Sequence, residues 1–178
     1  MTDLAREYGE ALYQLARDED LVQLIHEQLE DVRLLMRQQS DFVRLLTSRA
    51  IPRAERLSVV QETFANHVHP YVVNFMKLMV EKEHFDAFVA CCKWYHRRFC
   101  DDEGIVEAFV TSAVPLSDED GSALRRKLSG ISGRQVRLIT AVDQSLIGGV
   151  RVEMEGRRYD NTVQDRLVRF RQGLMEGL

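Results

Sequence analysis

Two hydrophobic rhythms divide this chain near Gly104. Before it, apolar residues recur every three or four positions, the period of a helix with one buried face. Leu4, Tyr8, Ala11, Leu12 and Leu15 mark a first helix, with Thr2 placed to cap it. Val22, Ile25, Leu29, Val32 and Met36 mark a second, and Phe42, Leu45 and Leu46 a short third beginning at Ser40 or Asp41. Pro52 and Pro70 each stand where a helix starts, since the missing N–H costs nothing there. Leu57, Val60 and Phe64 follow the first of these prolines, and the helix after Pro70 is expected to run through about Glu83. A sixth helix is expected from about His84 to Asp102, carrying Phe85, Phe88, Val89, Cys92 and Phe99. The short connections predict antiparallel neighbours in a helical bundle.

Beyond Gly104 the period changes to two. Ile105–Ser112 reads as a strand with apolar residues on both faces, so both faces are expected to be covered. Ser117-Asp118-Glu119-Asp120 reads as a capped helix start, followed by an apolar face of Leu124, Leu128 and Ile131. Val136, Leu138 and Val142 form a second strand, Val150, Val152 and Met154 a third. Gly156 can turn the chain back toward Arg157-Arg158-Tyr159, and a final helix is expected from about Thr162 with Val163, Leu167, Phe170 and Leu174 on one side. The expected fold is therefore mainly α: a six-helix N-terminal bundle over residues 1–103, then a small α+β domain over residues 104–178.

The segment after Pro70 breaks the usual pattern. Between Tyr71 and Val80 only Asn74 and Lys77 are polar, so this helix is apolar nearly all round. A surface helix shows one apolar stripe. Two readings stand: a central helix enclosed by the others, or a helix with one face inward and the other forming a groove for a partner helix. The first helix can supply the other wall, where its small residues Ala5, Ala11 and Ala16 would admit a partner backbone.

Composition narrows the function classes. With 178 residues and 45% hydrophobic content, the first part can bury its own core, while the remainder is marginal alone. The net charge is −4, with no basic stripe, which gives no case for nucleic acid. Three cysteines, Cys91, Cys92 and Cys100, are odd in number and clustered, a poor disulfide framework and consistent with reduced thiols. No apolar run reaches the length that spans a bilayer, so no direct membrane insertion is expected. The acidic, amphipathic start, Met1 to Glu7, does not read as a secretory or transit leader.

Candidate chemistry is sparse. Cys92, His96 and Cys100 fall on one helical face at spacing four, a set that zinc can use, but Cys92 also lies on the apolar stripe, where a free cysteine is ordinarily a small buried hydrophobe. His67 and His69 lie beside Pro70 in an expected loop. Ser145 lacks the glycines of a nucleophile elbow, and the glycine pair Gly148-Gly149 leads into a strand without the lysine of a phosphate loop. A turn with a bulge accounts for those glycines physically. The reading is a non-catalytic chain with no metal and no cofactor.

Taken together, Asp143-Gln144-Ser145-Leu146-Ile147-Gly148-Gly149-Val150 and Asp160-Asn161-Thr162-Val163, followed by Leu167 and a basic C-terminal segment, resemble the C-terminal region of ATP synthase delta subunits, whose mitochondrial counterpart is the oligomycin-sensitivity-conferring protein. Ala5-x-x-Tyr8-x-x-Ala11-Leu12 is similar to the family's first helix, Asn74 to Lys82 to its fifth, and Ala113-x-x-Leu116-Ser117 to the start of its C-terminal part. Gln144 stands where the family often has Pro, and Asn161-Thr162 where it often has Gly-Ser. The resemblance implies a stator subunit of the F-type proton-translocating ATP synthase that ties the catalytic head to the peripheral stalk. It implies that a groove between the first and fifth helices binds the N-terminal segment of an alpha subunit. By position the contact residues are Tyr8, Ala11, Leu12, Leu15, Phe75, Met76 and Met79. The C-terminal domain would meet the C-terminal ends of the b subunits, and the complex would hold the chain at the cytoplasmic face of the bacterial inner membrane. The competing reading is a helical adaptor with an unrelated partner.

Overall fold

A computed structural model describes residues 3–162, which fall into two compact units, residues 1–99 and 100–178. The expected cap Thr2 and the expected C-terminal helix with Val163, Leu167, Phe170 and Leu174 lie outside the described residues. The chain is mainly helical, with one small sheet.

The helices before Gly104 are α1 (Asp3–Asp18), α2 (Val22–Gln38), α3 (Ser40–Thr47), α4 (Arg53–Phe64), α5 (Pro70–Glu81) and α6 (Phe88–Asp102). A single 3-10 turn, Phe85–Ala87, precedes α6, so the stretch from His84 is not one continuous helix. Pro70 is the first residue of α5, and the His69 side chain accepts a hydrogen bond from the Tyr71 N–H as its cap. Pro52 sits one position further out, as the residue before α4. Arg56 of α4 is buried, and its guanidinium donates to the carbonyl of Leu46, left open where α3 ends, and to that of Ile51 in the loop before α4.

The largest side chains fully enclosed in the first unit include Tyr13, Tyr95, Phe88, Ile25 and Leu29. α5 proves to be a central helix: Val72, Val73, Phe75, Met76, Met79 and Val80 are all buried, and its exposed positions are Pro70, Asn74, Leu78 and Glu81. Tyr13 meets Tyr95 edge-to-face at 5.1 Å, and the Tyr95 hydroxyl donates to the Val22 carbonyl, joining α1 and the start of α2 to α6.

The buried side of α1 differs from the expected one. Ala5, Gly9, Leu12, Tyr13 and Ala16 face inward, whereas Tyr8 is half-buried and Ala11 and Leu15 are exposed. The reason is a close helix crossing. A Cβ on Gly9 would lie 3.0 Å from the Trp94 ring and 3.2 Å from the Cys91 carbonyl oxygen. The small residues Ala5 and Ala16 therefore serve packing within the chain rather than the approach of a foreign backbone. Only a small-residue stripe lets α1 approach α6 this closely, and the bulkier Tyr8 and Leu15 are turned away from that side.

The second unit carries β1 (Ile105–Ser112), α7 (Asp118–Ser132), β2 (Gln135–Val142), β3 (Val150–Met154) and β4 (Arg157–Asp160). The strands lie in the order β2-β1-β3-β4. β1 and β2 are parallel, bridged by α7, and β3 runs antiparallel to both β1 and β4. Ser117 caps α7 by accepting from the Asp120 N–H, and Gly133 ends it in the left-handed region at φ 68°. Glu155 and Gly156 both have positive φ, the geometry of a tight hairpin turn between β3 and β4. Leu128 of α7 packs on Val106, Ala108, Val110, Val136, Val152 and Met154, with Leu124 beside them. Two expectations fail here. Ile131, assigned to the inner face of α7, is 62% exposed, because the helix is closing at Gly133 beyond the edge of the core. Phe109, on the second face of β1, is 51% exposed, while Ile105, Glu107 and Thr111 beside it are half-buried, so among the described residues that face is covered only in part.

Candidate partner-binding site

The site residues inferred from sequence separate into two groups. Leu12, Phe75, Met76 and Met79 are enclosed in the chain's own packing. Phe75 lies against Phe88, with ring centroids 5.9 Å apart, and Phe88 stacks on Phe85 at 5.2 Å. Tyr8, Ala11 and Leu15 belong instead to the outer side of α1, spaced by three and four residues along one helical face. The Tyr8 ring meets His84 edge-on at 6.4 Å, which brings α1 alongside the turn that follows α5. Leu15 is 42% exposed, and Leu78 of α5 is 38% exposed. Ala11 also borders a cleft of about 450 Å³ along α1, with Trp94 of α6 on one side and Asp3, Arg6, Glu7 and Glu10 around the rim. Trp94 and Leu78 were missed in the sequence, because each reads as an ordinary member of a helical stripe until the neighbouring helix leaves it open.

The sequence motif of the second unit is a structural clasp. The Asp143 carboxylate accepts from the N–H and hydroxyl of Ser145 at 2.9 and 2.6 Å, and those bonds hold it below the usual carboxylate range. Leu146 is buried while Ile147 is 70% exposed, so alternate residues of the loop anchor it and face water. Gly148 is half-buried, and Gly149 at φ 87° leaves no space for a Cβ, which would lie 2.4 Å from the Asn161 carbonyl oxygen. The neighbouring Asp160 accepts from the Thr162 hydroxyl at 2.7 Å, from Arg151 Nε at 2.9 Å, and from the Thr162 N–H and Arg158 at 3.1 Å each. Asp143, Leu146, Ile147, Gly148, Gly149 and Asp160 thus frame one loop and the strand ends it joins.

Those bonds, the Thr162 hydroxyl foremost and then Arg151, push the Asp160 carboxyl far below its ordinary value. A carboxyl depressed in the folded state adds stability above its unfolded value of about 3.9, and that stability is lost as pH falls toward the folded value. Asp160→Asn is therefore expected to lower stability at neutral pH, with the gap to wild type narrowing below about pH 4. Urea denaturation of both proteins across that range checks this, and a constant gap would contradict it.

The sequence set Cys92, His96 and Cys100 does not form a thiolate centre. Cys91, Cys92 and Cys100 are all buried, and none is in a disulfide. Burial raises the Cys91 thiol to about 11 and the Cys92 thiol well above its ordinary value, so both stay protonated. His96 is paired with His26 of α2.

The class suggested by a helical unit with an outward apolar strip, followed by a small α/β unit whose motif glycines and aspartates hold a loop, is settled by the chain's relatives. The chain matches the family described as ATP synthase delta (OSCP) subunit over residues 4–174. It is 29% identical to the ATP synthase subunit delta of Clostridioides difficile (strain 630), covering 97% of this chain and 96% of that one. It is 30% identical to the ATP synthase subunit delta of Desulfitobacterium hafniense (strain DSM 10664 / DCB-2), covering 96% of each. Its fold is similar to a chain in the mitochondrial ATP synthase hexamer of Toxoplasma gondii, with a TM-score of 0.73, 20% identity and 98% of each chain covered. The chain belongs to the ATP synthase delta (OSCP) subunit family. As such it is a non-catalytic stator subunit of the F-type enzyme. Among the described residues no helix is long and apolar enough to cross a membrane.

Proposed function

We propose that this chain ties the catalytic head of the ATP synthase to its peripheral stalk by receiving the N-terminal helix of an alpha subunit on α1. The observation that carries the reading is the orientation of α1, which buries its small residues and leaves Tyr8, Ala11 and Leu15 outward at helical spacing, on a chain of this family. Leu78 of α5 extends the apolar surface available to such a helix. Leu12, Phe75, Met76 and Met79 support it from within the core rather than by touching the partner. In this reading residues 1–103 are a six-helix bundle that holds the head, and residues 104–178 meet the C-terminal ends of the b subunits. Both contacts place the chain at the cytoplasmic face of the bacterial inner membrane, through the complex.

The task is lasting attachment under torque, not turnover. Burying about 600 Å² of apolar surface contributes about 15 kcal/mol gross, against an association cost of about 4–15 kcal/mol. One interface alone is modest, and two interfaces in one assembly raise the effective concentration of each. Calorimetric titration of the full chain with a peptide of the first ~20 residues of the cognate alpha subunit, about 30 Å when helical, is expected to show saturable one-to-one binding. Absence of heat together with unchanged amide resonances in α1 would overturn the assignment.

A further inference from the structure

α2 and α6 bring three metal-ligating side chains together at a point where hydrophobic packing asks for none. His26 lies in the buried stripe of α2 between Ile25 and Leu29 and is 6% exposed. Its Nε2 is 2.7 Å from Nδ1 of His96 on α6. Glu30 follows His26 by one helical turn, and the donor atoms of His26, Glu30 and His96 all lie within 4.8 Å of one another.

We propose that His26, His96 and Glu30 form a binding site for a divalent transition metal of the zinc class, joining α2 to α6.

The donor set matches that chemistry. Two imidazoles and one carboxylate are a common three-ligand arrangement for zinc, with a fourth position left to water. Magnesium and calcium require mainly oxygen ligands and are not suited by two ring nitrogens. The thiol of Cys92, one turn before His96, is not among the donor atoms that gather within 4.8 Å here, which leaves nitrogen and oxygen as the ligands.

The ligands are also held in place. The His26 ring stacks on Phe99 at 4.1 Å and 13°, and on His96 at 5.0 Å and 23°, which fixes its plane. Arg33 Nε lies 3.1 Å from both oxygens of Glu30 and orients the carboxylate, as hydrogen bonds to the ligands do at metal sites. Tetrahedral ligands about 2.0–2.1 Å from zinc stand about 3.3 Å apart. The two nitrogens must therefore open by about 0.6 Å and the carboxylate must close in. Terminal ring and carboxyl torsions are broad, so rotation about them supplies this movement without a backbone shift. In the metal-free pair one imidazole donates and the other accepts. On binding, the bridging hydrogen moves to the far nitrogen of its own ring, and both facing nitrogens offer lone pairs to the metal.

The test uses the full chain stripped with chelator, then titrated with zinc by calorimetry and with cobalt(II) by visible absorption. One equivalent should bind, and cobalt should give ligand-field bands of a nitrogen–oxygen tetrahedral site. Glu30→Gln and His96→Asn, both at partly exposed positions, should each weaken zinc by about 100-fold or more, the upper end of losses seen even for supporting groups. His67→Asn, in an exposed turn, should leave affinity unchanged, and circular dichroism confirms that each variant is folded. Zinc should raise the melting temperature of wild type but not of Glu30→Gln. The proposal is overturned by no stoichiometric zinc at micromolar metal, by affinity that survives both ligand substitutions, or by cobalt–thiolate charge-transfer bands, which would assign the metal to the cysteines.

Discussion

Replacing Gly149 with alanine is expected to cost the second unit about 2–5 kcal/mol, the sum of a left-handed backbone penalty and severe overpacking. Gly149 holds φ 87°, and the added Cβ would meet the Asn161 carbonyl oxygen at 2.4 Å and the Thr162 Cα at 2.9 Å. Both obstacles are backbone, so no rotamer change relieves the clash. That backbone is itself fastened: the Asn161 N–H donates to the Val150 carbonyl, and the Thr162 N–H to Asp160. A unit of this size has only a few kcal/mol to lose. Gly156→Ala is the control, because Gly156 shares a positive φ of 74° but has nothing within 4 Å of its Cβ position. It should cost only the backbone contribution of about 1–2 kcal/mol. Amide exchange in β1 and β3 reports the difference. Wild-type protection in Gly149→Ala would show that the 161–162 backbone can yield.

The second large effect concerns the partner. Ala11→Arg combined with Leu15→Glu is expected to weaken the alpha-subunit peptide by at least about 100-fold, as charges replace the apolar centre of a helix-in-groove contact. Both positions are exposed, so folding stability should stay within about 0.5 kcal/mol of wild type. Leu12→Ala and Met79→Ala should behave in the opposite way. Each empties a buried position, costs about 2–5 kcal/mol of stability, and disturbs binding only as the bundle loosens. Calorimetry paired with denaturation separates the two classes. Wild-type affinity in the doubly charged variant would move the docking face away from the outer side of α1.

The boundaries of the helices and strands were largely readable in the chain, because each is set by neighbours in sequence. Pro70, the Ser117 cap and the change from period four to period two at Gly104 act through local backbone geometry, and the elements fall where those signals place them. The family motif was legible too, as a turn.

Which side of an element turns inward was another matter. In α1 two helical arcs lie one residue apart, Leu4-Tyr8-Ala11-Leu15 and Ala5-Gly9-Leu12-Ala16, and hydrophobicity favours the first. The bundle buries the second, because the bulk of Trp94 on α6 admits only a glycine opposite it. The same holds for α5, whose apolar excess fits a groove or a centre equally until the other helices close around it. His26 gave no signal of its own, since one histidine beside a stripe of Ile and Leu acquires meaning only when His96, 70 residues later, lies against it. Periodicity is a property of one segment, and fixes length, type and a choice of faces. The selection among those faces is made by the shape of the neighbour, and that shape exists only once distant segments have packed.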